Sequence, residues 1–380
     1  MSAASPPLIA VILPPREGFG PRRARGIGLT VRHHALGVPR HRTVVFGGYQ
    51  PGPVFPDVTF RRVIAPYFFS GAADVRHILG LLPPLRALRP DLIEVHAAPV
   101  VAWWLRRVFP AIPVVLILHD DPAGTPGIRS AKQRQRIHDQ LARIVTVSGW
   151  VRDRWLEGVT EGDRPPLLVP PCVDLASLPV IDANTPVSGR RTRLILFAGR
   201  LVPEKGVDQF IAGCAGALPF LPGWRAEIIG GAEHAVKSLD TPYVRLLHAR
   251  ADPAGIALMG YRDHPDVMHA MARAAIVVIP CLEPEPSGRL ALEAMANGAV
   301  VICTEAGGIK EVTGSAAMYV NPGDPVAIAT AIRSLAGDLH GLTPWSASGR
   351  ERASLFDVKI IGRWLETVRE RIIIEGPRNG

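Results

Sequence analysis

Cysteine is scarce in this chain of 380 residues: Cys172, Cys214, Cys281 and Cys303 lie far apart, and none forms a CxxC pair. Single scattered thiols exclude a disulfide-built scaffold and a thiolate zinc cage, and they fit a reducing cytoplasm. Long apolar runs are missing too. Val114–Leu118 and Ala274–Ile279 are strand length, whereas a membrane-spanning helix needs about 18 or more apolar residues. The opening MSAASPPLIAVILPP has no basic start before a long apolar stretch, so it does not read as a signal peptide. Aromatic residues make up only 6%. That offers no stacking platform for nucleic acid, and no nucleic-acid partner is expected. No G-x-S-x-G and no P-loop spacing occur, and Arg23 stands where a dinucleotide fingerprint beginning at Gly18 and Gly20 needs its third glycine.

What the chain has is positive charge, glycine and proline. Its 43 Lys and Arg against 34 Asp and Glu give a net charge of +9. Such a balance favours polyanions, anionic lipid or phosphorylated ligands. Much of the excess is arginine in short clusters: Arg22, Arg23, Arg25; Arg61, Arg62; Arg106, Arg107; Arg190, Arg191, Arg193. The 37 Gly and 37 Pro follow no period and punctuate many short elements.

Apolar strand-length runs alternate with helical segments, which predicts parallel sheets covered on both faces. In the first half the strands are Leu8–Leu13, Thr43–Phe46, Val58–Ile64, Leu92–His96, Val114–His119 and Ile144–Ser148. Helices are read at Gly28–Leu36, Ala73–Leu82, Val101–Val108 and Ser130–Ala142, and Ser148 is placed to cap a further one. The pattern stops in a polar, proline-containing stretch near Leu175–Arg191 and resumes at Leu194. The expectation is a first domain over 1–178, a linker over 179–191 and a second domain over 192–356. A tail helix over Asp357–Ile373 should pack back on the first domain around Trp364.

Two segments carry the chemistry. In Phe197-Ala-Gly-Arg-Leu-Val-Pro-Glu-Lys-Gly-Val207 a strand ends at Gly199, and Arg200 and Lys205 flank a short loop that opens a helix. Two cations at a strand end beside a helix start suit a diphosphate. In Pro280-Cys-Leu-Glu-Pro-Glu-Pro-Ser-Gly-Arg-Leu-Ala-Leu-Glu293, Pro286 and Gly288 keep Glu285 on a loop, while Glu293 falls inside the helix that begins near Gly288. Glu293 sits among apolar residues and needs a partner, because burying a lone carboxylate is costly. Backbone N–H groups at the start of that helix face an anion favourably. In the first half, His119 follows a strand end, His96 ends another, and Gly18 and Gly20 lie in a glycine-rich loop after the first strand.

Together the two segments resemble family-4 glycosyltransferases of the GT-B fold, whose second domain carries a G-R-x-x-x-x-K-G loop and an E-x7-E element. Here these are Gly199-Arg200 with Lys205-Gly206, and Glu285 with Glu293. Val169-Pro-Pro-Cys-Val-Asp174 is similar to the family's P-x-G-V-D segment, and Thr304–Glu311 to its later glycine pair. The subset it most resembles builds lipopolysaccharide cores and exopolysaccharides.

The resemblance implies an α/β protein of two Rossmann-like doubly wound domains facing across a cleft. It implies retaining transfer of a hexose from a nucleotide diphosphate sugar, UDP-sugar first and GDP-sugar next, to a hydroxyl of a glycan or lipid-linked acceptor. No metal is implied. Arg200 and Lys205 would hold the diphosphate, Glu293 the ribose, and Glu285 the donor sugar, with His119 near the reaction centre. Tyr261 and Arg262 would meet the base. Ser287, Gly288, Arg289 and Leu290 would line the donor site, with Gly18 and Gly20 approaching the diphosphate from the first domain.

Ser287 stands where relatives usually have Phe, which puts the sugar's identity in question, and Cys172 replaces a usual Gly. Two other classes compete: an epimerase or phosphorylase on the same fold, and a basic polyanion- or membrane-binding protein without catalysis. Arg22, Arg23 and Arg25 together with Val101–Val108 (VAWWLRRV) suit contact with anionic lipid. The expected location is therefore cytoplasmic, with a peripheral contact at the inner face of the cytoplasmic membrane.

Overall fold

The structure is a computed structural model that describes residues 5–22, 25–64, 73–179, 192–232, 241–338 and 340–378. The expected linker from 180 onward, and Arg23, Arg190 and Arg191, lie outside the described residues. The chain divides into two units, Met1–Cys172 with Val358–Gly380, and Val173–Asp357. The first unit ends ahead of the boundary drawn at 178. The reason is local: the Val173 amide donates to the Phe356 carbonyl at 3.0 Å, and Val173 bridges Asp357.

In the first unit, strands β1 (Leu8–Ile12), β2 (Arg42–Gly47), β3 (Thr59–Arg62), β4 (Leu92–His96), β5 (Val114–Leu118), β6 (Arg143–Thr146) and β7 (Leu167–Leu168) form one sheet. Its order is β3-β2-β1-β4-β5-β6-β7, and every pairing is parallel. Helices α1 (Gly26–Gly37), α2 (Ala73–Leu88), α3 (Pro99–Val108), α4 (Ala131–His138) and α5 (Gly149–Leu156) connect them. Strands β4, β5 and β6 are buried along their whole length, as a sheet covered on both faces requires.

Sequence signals explain the helix starts and one surprise. Ser130 and Gln133 form a reciprocal capping box, and the Ser148 hydroxyl accepts the Val151 amide at 3.1 Å as expected. Helix α4 begins where predicted but ends at His138, short of Ala142. Helix α2 runs through Pro83-Pro84 to Leu88, although proline normally ends a helix. Leu81 and Leu85, both fully buried, hold the turns on either side of the pair against the core.

The second unit holds β8 (Thr192–Ala198), β9 (Arg225–Ile229), β10 (Ala257–Leu258), β11 (Ala274–Ile279), β12 (Val300–Thr304) and β13 (Ala317–Val320) in the order β10-β9-β8-β11-β12-β13, again all parallel. Its helices are α6 (Val207–Ala217), α7 (Pro242–Ala251), α8 (His264–Arg273), α9 (Arg289–Ala296), α10 (Ile309–Thr313), α11 (Pro325–Ala336) and α12 (Leu342–Ser354). Helices α7, α10 and α12 and strands β7 and β13 were not read from the sequence. The short ones lack a full period, and α12 carries Pro, Gly and three Ser (LTPWSASGRERAS), which obscure the apolar stripe.

In both sheets the chain order reverses beside the first strand, between β1 and β4 and between β8 and β11. Ligands of doubly wound sheets bind outside the carboxyl ends of strands at such a reversal.

The return helix α13 (Val358–Glu375) belongs to the first unit and lies on α1, where Gly37 and Gly362 meet: a Cβ on Gly362 would sit 2.0 Å from the Gly37 carbonyl oxygen. Ile361, Leu365, Val368 and Ile372 are its buried face, whereas Trp364 is 46% exposed. The tail therefore packs back as expected, but not through Trp364. Arg369 anchors it by a two-pronged pair to Glu94 of β4, both contacts at 2.7 Å, with each side chain almost fully buried. Removing one partner of such a pair leaves a buried charge uncompensated. Arg369→Met should therefore cost about 3–5 kcal/mol in urea unfolding of the first unit. An unchanged midpoint would show that the pair contributes nothing net.

Candidate functional site

In the second unit, the loops leaving β8 and β11 diverge at the reversal point, and two close contacts join them. The Glu204 carbonyl accepts the Leu282 amide at 2.9 Å. Gly206, at φ +69, lies so close to the other loop that a Cβ would come 1.9 Å from the Pro280 carbonyl oxygen. Only glycine tolerates both the backbone angle and the approach. The segment between them is a single 3-10 turn, Pro203–Lys205, which leads directly into α6.

That turn delivers Lys205. Lys205 Nζ is paired with Glu285 Oε2, both side chains about four-fifths covered. Burial disfavours the Lys205 ammonium, yet the Glu285 carboxylate outweighs burial, and the pKa stands above the usual lysine value. Arg200 is more exposed and lies 3.4 Å from Glu204. Glu285 itself is held by backbone: its amide donates to Ala306 at 3.2 Å and its carbonyl accepts Gly308 at 2.8 Å. Gly307, at φ +73, permits this, since a Cβ there would meet the Glu285 carbonyl oxygen at 2.4 Å.

Glu293 lies inside α9, as the sequence implied, and its partners are now visible. Arg289 Nε donates to Oε1 at 2.8 Å, and His264 Nε2 lies 3.0 Å from the same oxygen. Burial would raise the Glu293 carboxyl's pKa, but Arg289 and then His264 overcome it and hold it down to about 2. Arg289 sits at a helix start, where a cation opposes the helix dipole. Its partner one turn on offsets that.

The remaining predicted residues fall around this centre. Ser287 Oγ accepts the Arg289 amide at 3.4 Å, Gly288 is the residue ahead of α9 at φ +64, and Leu290 is half-buried on the helix's first turn. Tyr261 and Arg262 follow β10, two strands away from β8, and the Gly230 amide donates to the Gly260 carbonyl at 3.0 Å. Gly199 is tied to the neighbouring strand through its amide and the Ile229 carbonyl at 3.0 Å. Burial pushes the Cys281 thiol up to about 11 and the Cys303 thiol up to about 12, so neither supplies a thiolate nucleophile at neutral pH.

In the first unit, His96 Nδ1 and His119 Nε2 share a hydrogen bond at 2.9 Å at the ends of β4 and β5. Burial, and then Arg369, hold His96 down to about 3, so its ring is neutral. Ala97, between β4 and α3, has φ +48, a strained angle for alanine, at the carboxyl end of β4. Gly20 has a packing reason for its lack of a side chain, because a Cβ would lie 2.1 Å from the Pro53 carbonyl oxygen. A Cβ on Gly28 would likewise strike the Gly18 carbonyl at 2.2 Å.

Sequence reasoning missed His264, Glu204 and Glu17. His264 comes after the Tyr261-Arg262 turn and could have been found only by asking what pairs with Glu293. Glu17 is buried and accepts the Gly28 amide at 3.0 Å; burial outweighs that bond and raises its pKa.

Two doubly wound Rossmann-like units in one chain, the second gathering cations and carboxylates where its strand order reverses, make up the GT-B fold. Sucrose-phosphate synthase from Thermosynechococcus elongatus shares this architecture over 96% of this chain and 99% of its own, with a TM-score of 0.78 and 19% identity. Anabaena HepE, in its complex with UDP and glucose, does so over 96% and 99%, with a TM-score of 0.74 and 18% identity. The family profile "Glycosyl transferases group 1" matches residues 192–338, and "Glycosyltransferase Family 4" matches residues 25–177. The chain belongs to the family-4 glycosyltransferases. It is 29% identical over 288 residues to a glycogen synthase of Mycobacterium tuberculosis, which covers 71% of this chain and 64% of that protein. The chain spans about three-fifths of the length of the curated relatives it matches.

The Glu293 cluster predicts a pH dependence. Its folded pKa lies below the unfolded value, so ionised Glu293 favours the fold. That stability is present above about pH 4.5 and is lost as pH falls toward 2. Glu293→Gln should remove a share of acid sensitivity on the order of 3 kcal/mol between those limits. Identical acid unfolding profiles for variant and parent would contradict the pairing.

Proposed function

We propose that the chain is a glycosyltransferase that moves a hexose, with retention and without a metal, from a nucleotide diphosphate sugar to a hydroxyl acceptor. The observation that carries this reading is the Lys205–Glu285 pair at the β8–β11 reversal, with the buried Glu293–Arg289–His264 cluster on the adjoining helix. A diphosphate entering there would take Lys205 from Glu285 and meet Arg200 beside it. As the sugar–phosphate bond lengthens, charge grows on the leaving diphosphate, and two cations fixed beforehand stabilise it without reorganisation. Glu285, relieved of its lysine, would accept hydrogen bonds from donor-sugar hydroxyls. Glu293, held ionised, would do the same for the ribose. Catalysis then rests on positioning and leaving-group stabilisation. In the first unit, His119, backed by neutral His96, is the residue we propose takes part in the transfer.

UDP-sugar is the first choice of donor and GDP-sugar the next; the UDP carried by HepE supports that order. The acceptor we propose is a glycan or lipid-linked sugar of a cell-surface polysaccharide. A peripheral contact with anionic membrane accompanies this reading. Trp104 is 44% exposed on α3, and the guanidiniums of Arg107 and Arg136 lie 3.5 and 4.4 Å from the ring centre of Trp103 beside it. Among the described residues no helix is long and apolar enough to cross a membrane.

Thermal unfolding with UDP, GDP and ADP, each with and without magnesium, tests the donor site. A ligand at 100 times its Kd should add about 2.7 kcal/mol. One diphosphate should stabilise the chain equally in both conditions, whereas no shift with any of them would sink the donor-site reading. Lys205→Ala should keep the fold and lose most turnover; near-full turnover in the folded variant would refute the diphosphate assignment. For the membrane contact, co-sedimentation with phosphatidylglycerol vesicles at low salt should be lost in Trp104→Ala. Absence of binding by the parent chain would end that part of the reading.

A further inference from the structure

His41 lies in the turn before β2, at the amino edge of the first sheet and so opposite the edge that carries His96 and His119. It is 94% buried, and neither of its ring nitrogens has a hydrogen-bond partner among the described residues. A buried polar atom without a partner is unusual and calls for an explanation. Facing it on α13 are Glu366 and Glu370, one helical turn apart. One ring nitrogen and one oxygen from each carboxylate lie within 4.8 Å of one another. Glu366 Oε1 is itself buried without a hydrogen-bond partner among the described residues. Two carboxylates at this spacing repel. The nearby cations do little to relieve them: Arg40 reaches Glu366 only at 3.8 Å and is 83% exposed, and Arg369 is committed to Glu94.

We propose that His41, Glu366 and Glu370 bind a divalent transition ion of the zinc class, which clamps the return helix to the loop ahead of β2. One imidazole nitrogen and two carboxylate oxygens are donors such an ion accepts. Three protein ligands leave a fourth position for water on the exposed Glu370 side. Magnesium, which favours octahedral oxygen coordination, is a poor match for a site with an imidazole donor. The two sides of the clamp are more than three hundred residues apart in sequence, so an ion here would restrain a long-range contact. Its role would be structural rather than catalytic, and the proposal stands independently of the transfer reaction.

The test is calorimetric titration of the full chain with zinc chloride after chelator treatment, together with hydrogen exchange across 358–375. One ion per chain should bind, exchange in α13 should slow, and excess magnesium should not compete. Glu370→Gln changes an exposed side chain that folding does not need, and it should weaken binding at least about tenfold. His41→Gln should do the same. No stoichiometric binding by the parent chain would overturn the proposal. So would undiminished affinity in Glu370→Gln, which would move the ion to other ligands such as the buried thiols.

Discussion

The structure of the second unit turns on one constraint: at the reversal point of a parallel sheet, two neighbouring strands send their chains to opposite faces. The gap this opens at the β8 and β11 carboxyl ends would be a loose pair of loops. Here it is closed at the backbone level by the Leu282 amide on the Glu204 carbonyl and by Gly206 against Pro280. The positions of Lys205 and Glu285 follow from that junction. A side chain at 206 would push the loops apart, and the ion pair with them.

Charge neutralisation is the second theme. Every charged group buried at the site has its counter-charge already: Lys205 has Glu285, and Glu293 has Arg289, with His264 Nε2 against the same oxygen. Buried charges are tolerated only when paired and hydrogen-bonded. In the proposed reading, an incoming dianion would exchange one set of pairs for another rather than enter a field of bare cations. The cost of holding the site ready is carried by the fold before any ligand arrives, which is what preorganisation means for charge.

The same rule organises the first unit. The return helix is fixed by Arg369 on Glu94, by the glycine contact at Gly37 and Gly362, and by Arg143 on Glu375. These partners are separated by most of the chain, so the first unit is complete only when the last residues have arrived. At its carboxyl edge the histidine pair His96–His119 and the strained Ala97 occupy the equivalent reversal point, between β1 and β4.

Much of this was legible beforehand. Apolar runs of strand length alternating with helical stretches specify parallel sheets, because a strand buried on both faces can carry no polar alternation. The Arg200–Lys205 and Glu285–Glu293 spacings marked the two segments that meet at the reversal point, since charge type and chain distance are written directly in the sequence. Elements without a full period, such as β13 and α12, were not legible, nor was the passage of α2 through two prolines. Long-range partners were not legible either. That Glu293 needed a counter-charge followed from its apolar neighbours; that Arg289 supplies it while His264 approaches the same oxygen did not. The sequence by itself determined most of the strands and helices and which residues would carry charge, because those depend on near neighbours. Only the tertiary structure decided which charges meet, which glycines are crowded and what covers the return helix. Those are distances between segments far apart in the chain, and no local pattern contains them.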